Sequence, residues 1–258
     1  MLLALDIGNS HVRLGGFCGD DLQFVASIAT DDRLTAEQYA CQLRDVCGLY
    51  GVELTHMEGV VFCSVVPAVT PIVQRAVQML TGCTALGVGS GVRTGLNLKI
   101  DQPRALGSDL VANAVWAAQR GKLPCVVVDM GTVTTFTVLS RDGVLIGTAI
   151  APGVKASLDM LKSVAAQLPS IRMEAPTRSV LGRNTVDAMK AGTMFGAAAM
   201  VDGMLARIAA ELGEAPQVLL TGGTGALIAP HLTTPVEYDP CVTLRGLVTI
   251  WNRNRKNG

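Results

Sequence analysis

LLALDIGNS at Leu2–Ser10 and VVVDMGT at Val126–Thr132 follow one pattern, in which an apolar run ends in an aspartate and a glycine stands two residues later. Apolar residues return after each turn, at Val12–Phe17 and at Phe136–Leu139. A buried strand, a short polar turn and a second apolar strand predict a β-hairpin, whose tip can hold phosphate oxygens and a cation.

A single Asp-x-Gly sequence most often serves only to turn a hairpin. Two copies with similar flanks favour a different interpretation, in which two hairpins face each other and enclose a nucleotide. The duplication also predicts that the chain consists of two related halves.

The elements that follow each hairpin support this division. In the first half we expect a strand at Leu22–Ile28, a helix that begins at a capping box formed by Thr35 and Gln38, and a strand at Glu58–Val66. A helix capped by Thr70 should follow. The corresponding predicted elements of the second half are strands Cys125–Val128, Thr134–Ser140, Val144–Ile150 and Gln217–Thr221, with helices from Lys155 and Asn184.

The order of these elements predicts an α/β protein with two ribonuclease-H-like halves, each a mixed β-sheet with flanking helices. We place the halves at residues 1–116 and 117–258, with the seam near the helix Asp109–Gln119. The basic residues from Arg253 onward are expected to form a frayed tail.

The charge balance excludes two classes of partner. The 258 residues include 21 Lys and Arg and 21 Asp and Glu, so no broad field attracts nucleic acid or an anionic membrane. Charges interrupt the apolar stretches, as Asp202 does in Ala197–Leu205 and Asp6 does near the start. We therefore predict a cytoplasmic protein that binds small molecules. The seven cysteines form no C-x-x-C pair and are expected to be mostly buried free thiols.

The residues at the first hairpin suit phosphoryl transfer, which depends on donors and cations placed around a triphosphate. Backbone amides from Gly8 to Ser10 and the side chains of Asn9 and Ser10 can donate to phosphate, and Arg13 supplies a cation. Asp6 is predicted to bind Mg²⁺ directly or through water, because Mg²⁺ takes one or two carboxylates besides phosphate oxygens.

The second hairpin and a third turn offer further ligands. Asp129 is a second carboxylate, and Thr132 adds a hydroxyl. Gly222 and Gly223 lie between a predicted strand and helix, where they permit close approach of a ring or a ribose. A tight β-to-α turn also uses two glycines with no ligand, so both interpretations of this turn stay open.

The segment between the halves offers a base. Ser108 is the predicted N-cap of a helix, and Asp109 then lies in the first turn, where the helix dipole keeps a carboxylate ionised. Such a carboxylate can accept the proton of an attacking hydroxyl. The alternative is that Asp109 only complements the dipole.

Six motifs in chain order resemble those of type III pantothenate kinases, a family of the acetate kinase, sugar kinase, Hsp70 and actin superfamily. They are Asp6–Ser10, Gly107–Asp109, Asp129–Thr132, Ala149–Gly153, Gly182–Met189 and Thr221–Gly223. The resemblance implies an actin-like ATPase architecture. It also implies ATP-dependent phosphorylation of pantothenate at its primary hydroxyl to 4'-phosphopantothenate, the first step of coenzyme A biosynthesis.

The resemblance also implies roles for individual residues. Asp109 would be the general base, and Asp129 would bind a monovalent cation, K⁺ or NH₄⁺, while Mg²⁺ accompanies ATP. The protein would be a homodimer in which Thr185 contacts pantothenate from a partner subunit. The resemblance implies that Asp6, Gly8, Asn9, Ser10 and Thr132 surround the ATP phosphates, and the residues themselves add Arg13, Gly222 and Gly223 to the predicted ATP-binding set. The predicted substrate-binding residues are Gly107, Ser108, Asp109, Leu110 and Thr185.

Two positions depart from the family pattern. Leu110 stands where an Arg usually follows the catalytic Asp, and Ile100 stands where many members have a Tyr that contacts substrate. Another cation, from Lys99, Arg104 or Arg183, could pair with the substrate carboxylate. Two alternatives therefore remain beside the pantothenate kinase: a non-catalytic, nucleotide-binding regulator, and a kinase for another small hydroxylated substrate.

Overall fold

The computed structural model describes residues 1–165, 167–172 and 179–255. Its strands are β1 (Leu2–Ile7), β2 (His11–Cys18), β3 (Asp21–Ala29), β4 (Gly59–Ser64), β5 (Leu86–Gly87), β6 (Cys125–Met130), β7 (Val133–Leu139), β8 (Leu145–Pro152), β9 (Gln217–Thr221) and β10 (Glu237–Tyr238). Its α-helices are α1 (Ala36–Gly48), α2 (Thr70–Thr81), α3 (Ser108–Arg120), α4 (Val154–Val164), α5 (Thr185–Leu212), α6 (Gly225–Ile228) and α7 (Val242–Asn254).

The described strands form two sheets with equivalent topology. One has the order β3-β2-β1-β4-β5, and the other has the order β8-β7-β6-β9-β10. In both, the first strand pairs antiparallel with the hairpin partner and parallel with the strand on its other side. The predicted α/β fold with two ribonuclease-H-like mixed sheets is confirmed.

The chain divides into two compact units. The first comprises Met1–Leu96, Asp101–Arg120 and Cys241–Gly258, and the second comprises Asn97–Ile100 and Gly121–Pro240. The division of the chain into domains at residues 116 and 117 stays a prediction.

Side-chain alternation decides which face of β1 carries Asp6. Leu3, Leu5 and Ile7 join an apolar cluster with residues of α1 and α2. Leu2 and Ala4 join a different cluster with residues of α3 and α7. Because successive side chains of a strand point to opposite faces, Asp6 lies on the face that α3 and α7 cover.

Helix α7 packs closely on α3. A Cβ on Gly246 would overlap the carbonyl of Ala112, so only glycine permits this approach. Thr243 Oγ1 donates to the buried Asn113 Oδ1 at 2.8 Å. The predicted frayed tail is wrong for the described residues, because Arg253 belongs to α7 and Arg255 Nη1 lies 2.9 Å from Glu58 Oε1. Residues 256–258 lie outside the described part of the chain.

The helix starts differ in how well the sequence predicted them. The capping box of Thr35 and Gln38 at α1 and the N-cap of Asn184 at α5 are both present. At α2 the N-cap is Val69, and Thr70 Oγ1 instead donates to the carbonyl of Val66 at 2.8 Å. The predicted capping role of Thr70 is therefore wrong.

The 28-residue helix α5 dominates the second unit. Its residues Met194, Ala198 and Val201 join the cluster formed by β6 and β7. Among the described residues, α5 is the helix whose length and composition would allow a membrane crossing, a test that core helices of globular proteins also pass. Asp202 on this helix accepts hydrogen bonds from the amides of Thr233 and Thr234, both at 2.9 Å.

Candidate active site

The tip of the first hairpin is fixed by backbone hydrogen bonds. The Gly8 amide donates to His11 O at 3.0 Å, and Thr30 Oγ1 donates to Gly8 O at 2.7 Å. The Thr30 amide donates to Ser10 O at 3.1 Å. The Gly8 amide is therefore used to close the turn, whereas the side chains of Asn9 and Ser10 are exposed.

Arg13 lies on β2, opposite Asp6. It pairs with Asp6 in the β1–β2 register and lines an open groove of about 330 Å³. The other residues of the groove are Val25, Ala26, Ser27, Val46, Leu49 and Tyr50, which belong to β3, to α1 and to the segment just after α1. Contact between Arg13 and a phosphate stays a prediction.

Asp6 has a neighbour that the sequence analysis did not single out. In the parallel pairing of β1 and β4, Asp6 is in register with Cys63. The Cys63 thiol donates to Asp6 Oδ1 at 3.4 Å and is fully buried. Burial raises the pKa of this thiol well above its ordinary value, and the negative charges of Asp6 and Asp109 raise it further.

Hydrogen bonds at the end of β4 bring two predicted carboxylates to the same part of the first unit. The Cys63 thiol donates to Asp6 Oδ1, and the backbone of the next residue, Ser64, bonds to the hydroxyl of Ser108, which directly precedes Asp109. Asp6 and Asp109 belong to elements about 100 positions apart in the chain, β1 and α3. The thiol is protonated at neutral pH and can donate to Asp6.

The start of α3 is held by a pair of hydrogen bonds. Ser108 Oγ donates to the carbonyl of Ser64 at 2.9 Å and accepts from the Ser64 amide at 2.9 Å. Ser108 is itself the first residue of α3, so its hydroxyl attaches the helix to the end of β4 instead of serving as the predicted N-cap.

Ser64 extends this attachment to α2. Its hydroxyl lies 2.6 Å from Thr70 Oγ1 and accepts from the Val66 amide at 3.1 Å. Sequence reasoning missed Ser64, although its place at the end of an apolar strand just before Pro67 was a usable signal.

Asp109 is half-buried and lies directly over Gly107. A Cβ on Gly107 would overlap Asp109 Oδ1, so the carboxylate occupies space that only glycine leaves open. The same oxygen accepts a hydrogen bond from the Leu110 amide at 2.9 Å.

Burial raises the pKa of Asp109 above its ordinary value, although backbone hydrogen bonds from Leu110 and Asp109 itself act in the opposite direction. The helix-dipole argument alone favours a lowered pKa. The cost of desolvating the carboxylate is the larger effect here.

The Leu110 side chain is 5% exposed and faces the interior. Its backbone amide, rather than its side chain, is therefore the part that reaches the candidate site. Substrate binding by Gly107, Ser108 and Leu110 stays a prediction.

Three turns of the second unit meet at the end of β6. A Cβ on Gly222 would lie 2.6 Å from Asp129 Oδ1 and 2.5 Å from the Met130 backbone nitrogen. A Cβ on Gly153 would lie 2.6 Å from the Gly131 carbonyl. The Thr224 amide and hydroxyl both donate to the Met130 carbonyl, at 3.1 and 2.8 Å. The structure thus brings Asp129 and Gly222 together.

Three further predicted residues, Thr132, Thr185 and Gly223, are exposed. Thr132 lies at the tip of the second hairpin, and Gly131 closes that turn by donating its amide to Val133 O at 3.0 Å. Thr185 is the first residue of α5, directly after its N-cap. Gly223 is also exposed and has no atom within 4 Å of an added Cβ.

The carboxylates fit a metal that arrives with a nucleotide. Within the ranges that the structure describes, no three His, Cys, Asp or Glu side chains form a metal-binding group. Mg²⁺ needs no such group when phosphate oxygens and water supply most of its ligands. Asp6, half-buried at the end of β1, can provide the single protein carboxylate that this arrangement requires.

Comparison with known proteins identifies relatives over the whole chain. A family model described as type III pantothenate kinase matches residues 2–207. A type III pantothenate kinase of Moorella thermoacetica is 38% identical over 98% of this chain and 100% of its own length. One from Brevibacillus brevis is 39% identical over 99% and 100%.

A solved structure shares the fold at low sequence identity. It is the activator of 2-hydroxyisocaproyl-CoA dehydratase from Clostridium difficile with bound ADPNP, which covers 100% of this chain and 98% of its own, with a TM-score of 0.53 and 12% identity. The two-unit architecture described above is therefore that of actin-like ATPases and sugar kinases.

Proposed function

We propose that Asp109 is the general base of this chain. The chain belongs to the type III pantothenate kinase family and phosphorylates pantothenate with ATP for coenzyme A biosynthesis. The kinase interpretation of the sequence is confirmed over the non-catalytic regulator and the kinase for another substrate. Asp109 is supported by its geometry: a half-buried carboxylate at the start of α3, with one oxygen fixed by the Leu110 amide. Its other oxygen would accept the proton of the attacking hydroxyl.

The positions of Gly107 and Ser108 support different roles for these two residues beside the proposed base. Ser108 attaches the helix to β4, and Gly107 leaves room for the carboxylate. We assign Ser108 a positioning role, because both of its short hydrogen bonds go to the Ser64 backbone. Gly107 and the Leu110 backbone then border the place where pantothenate would bind.

ATP phosphates would be bound by the hairpin tips. Asn9 and Ser10 present exposed polar side chains, and Thr132 presents an exposed hydroxyl at the second tip. Asp6 would hold Mg²⁺, directly or through water, and the metal would neutralise phosphate charge during transfer. Gly222 and Gly223 would let the nucleotide approach the backbone closely.

We further propose that Asp129 binds K⁺ or NH₄⁺. It lies at the end of β6 beside Gly222, which has no side chain to occupy the adjacent space. A carboxylate with neighbouring carbonyl groups is an oxygen donor set suited to a hard cation. We also propose a cytoplasmic location, because charged residues such as Asp6 and Asp202 interrupt the apolar stretches of the sequence.

Purified protein should convert pantothenate and ATP to phosphorylated pantothenate when K⁺ and Mg²⁺ are present, and replacing K⁺ with Na⁺ should abolish most of the rate. Mass spectrometry of the product and an ADP-release assay would measure both. Asp129→Asn is expected to raise the K⁺ concentration needed for half-maximal activity, because one ligand charge is lost. Equal rates in K⁺ and in Na⁺ would contradict the cation proposal, and absence of product at millimolar pantothenate would contradict the kinase.

The exposed face of α5 supports the homodimer. In its most apolar 18-residue window, 22% of the residues are buried within the protomer, an unusually small share for an apolar helix. Gly192 and Gly196 are exposed, with nothing within 4 Å of an added Cβ. Small residues four positions apart on an open helix face suit close packing against a second copy.

Gly192→Arg is expected to convert the dimer to a monomer, since a long charged side chain would separate the two copies. Sedimentation velocity would show whether the 26.9 kDa chain sediments as one copy or two. Gly48→Arg, at the exposed end of α1 with no atom within 4 Å of an added Cβ, is the matched control and should stay dimeric. A monomeric parent would refute the dimer and, with it, the role of Thr185 across subunits.

A further inference from the structure

Cys63 is a buried cysteine whose thiol donates a hydrogen bond to a carboxylate of the candidate site. It is the second-to-last residue of β4, directly before Ser64, and its thiol donates to Asp6 Oδ1 at 3.4 Å. The side chain is fully buried. Nothing in the roles assigned above uses this thiol.

The surroundings of Cys63 connect it with both carboxylates of the first unit. It belongs to an apolar cluster with Ala4 and Val61 from the sheet and Ala112 from α3. Asp6 follows Ala4 by two positions, and Asp109 precedes Ala112 by three. Cys63 therefore packs against the segments of β1 and α3 that carry these two acids.

A carboxylate at a strand end rotates freely about its last side-chain bond unless a partner fixes it. The Cys63 thiol reaches Asp6 from the adjacent strand, in the register that the β1–β4 pairing imposes. The thiol hydrogen bond thus restricts the orientation of the Asp6 carboxylate at the end of β1.

We propose that Cys63 is a positioning residue, which orients the Asp6 carboxylate for the metal–ATP complex through its thiol hydrogen bond. The proposal rests on the proposed role of Asp6. The competing explanation is that Cys63 serves only as a small apolar side chain that fills the cluster between the sheet and α3.

Substitutions at Cys63 separate these explanations, because the two explanations rank the activities of the serine, alanine and valine variants in opposite orders. Serine keeps a donor but brings a hydroxyl into an apolar cluster, whereas alanine and valine keep the apolar character and remove the donor. Orientation of Asp6 predicts that Cys63→Ser retains kcat/KM for ATP within about threefold, while Cys63→Ala and Cys63→Val lose about tenfold or more. Packing alone predicts that the serine variant is the worst.

The Cys63→Ala substitution should impair the use of ATP rather than the binding of pantothenate. We expect the KM for pantothenate to change less than about threefold in Cys63→Ala, since Asp109 keeps its own contacts with Gly107 and Leu110. Cys47→Ala is the matched control. Cys47 is also fully buried, and burial raises its pKa to about 11. This control should lower the melting temperature without changing the KM for ATP.

Calorimetric titration with MgATP in the absence of pantothenate supplies a readout independent of turnover. Cys63→Ala should weaken binding about tenfold in the parent and less than about threefold in an Asp6→Asn background, because the thiol acts through Asp6. If Asp6→Asn binds and uses ATP like the parent, the proposed role of Asp6 fails. If Asp6→Asn is impaired while Cys63→Ala matches the parent, or if the serine and alanine variants behave alike, the inference about Cys63 alone is overturned.

Discussion

Asp109→Asn is expected to lower kcat for pantothenate phosphorylation by about 10²- to 10⁴-fold, the usual contribution of a general base. Asparagine has the same shape, and its amide oxygen can still accept the Leu110 amide that now bonds to Asp109 Oδ1. The side chain would lose its capacity to take a proton and little else. Steady-state ADP release at saturating ATP and pantothenate would measure the effect.

Asp142→Asn is the control for this substitution. Asp142 is exposed in the turn between β7 and β8, so its replacement should leave kcat unchanged. A kcat for Asp109→Asn within about threefold of the parent would refute the assignment of the base.

The raised pKa of Asp109 has two further consequences. The base must be ionised to act, so the acid limb of the pH–rate profile should lie above the ordinary Asp pKa and disappear in Asp109→Asn. A pKa raised in the folded state means that the protonated form favours folding, and this contribution is lost as the pH rises through the folded pKa. Asparagine is uncharged, so at neutral pH the Asp109→Asn variant does not bury an ionised carboxylate. Its melting temperature should therefore be no lower than that of the parent.

Gly107→Ala tests the same base without removing it. The added methyl group would overlap Asp109 Oδ1 and force the carboxylate to turn. We expect kcat to fall at least tenfold with a small change in melting temperature, because a short displacement of a catalytic group slows the reaction strongly. A Gly107→Ala variant with parental kcat would show that the carboxylate position seen here is not needed for catalysis.

Gly222→Ala is expected to destabilise the second unit by about 2 to 4 kcal/mol. Gly222 has a φ of +92°, which side-chain-bearing residues rarely adopt, and a Cβ there would lie 2.5 Å from backbone atoms of Met130. Relief of this overlap requires the turn to move away from β6 and from Asp129. Calorimetric melting should therefore show a lower transition temperature, and binding of ATP should weaken as well.

Gly223→Ala is the control for stability. An added Cβ at Gly223 meets nothing within 4 Å, and Gly223 is absent from the residues with positive φ. Its melting temperature should match that of the parent. If Gly222→Ala melts like Gly223→Ala, the close approach of this turn to β6 is not what the structure indicates.

The sequence predicted the local elements well where local chemistry decides them. The two hairpins follow from apolar runs that end at Asp6 and Asp129 with a glycine nearby, and the start of α1 follows from the capping box of Thr35 and Gln38. Each of these patterns is contained within a few consecutive residues. Helix α7 was not predicted, and the tail expected from Arg253 was wrong, because this helix packs closely against α3, where Gly246 meets Ala112.

The residues of the candidate site also differ in whether the sequence predicted them. The sequence singled out Asp6, Asp109 and Asp129 as acids at strand and helix ends, since their neighbours in the chain are informative. It did not single out Cys63, whose partner Asp6 is 57 positions away, and it missed Ser64, whose partner Ser108 is 44 positions away. The register of β1 with β4 brings Cys63 to Asp6, and the packing of α3 at the end of β4 brings Ser108 to Ser64.

By itself the sequence determined which chemical groups the protein carries and that they recur in two similar halves, because strands, turns and helix caps form from neighbouring residues. The tertiary structure decided the environment of those groups. The dipole at the start of α3 favours an ionised Asp109, but packing of α3 against the sheet buries the carboxylate and raises its pKa. Desolvation depends on every atom around a group, and most of those atoms belong to residues distant in the chain.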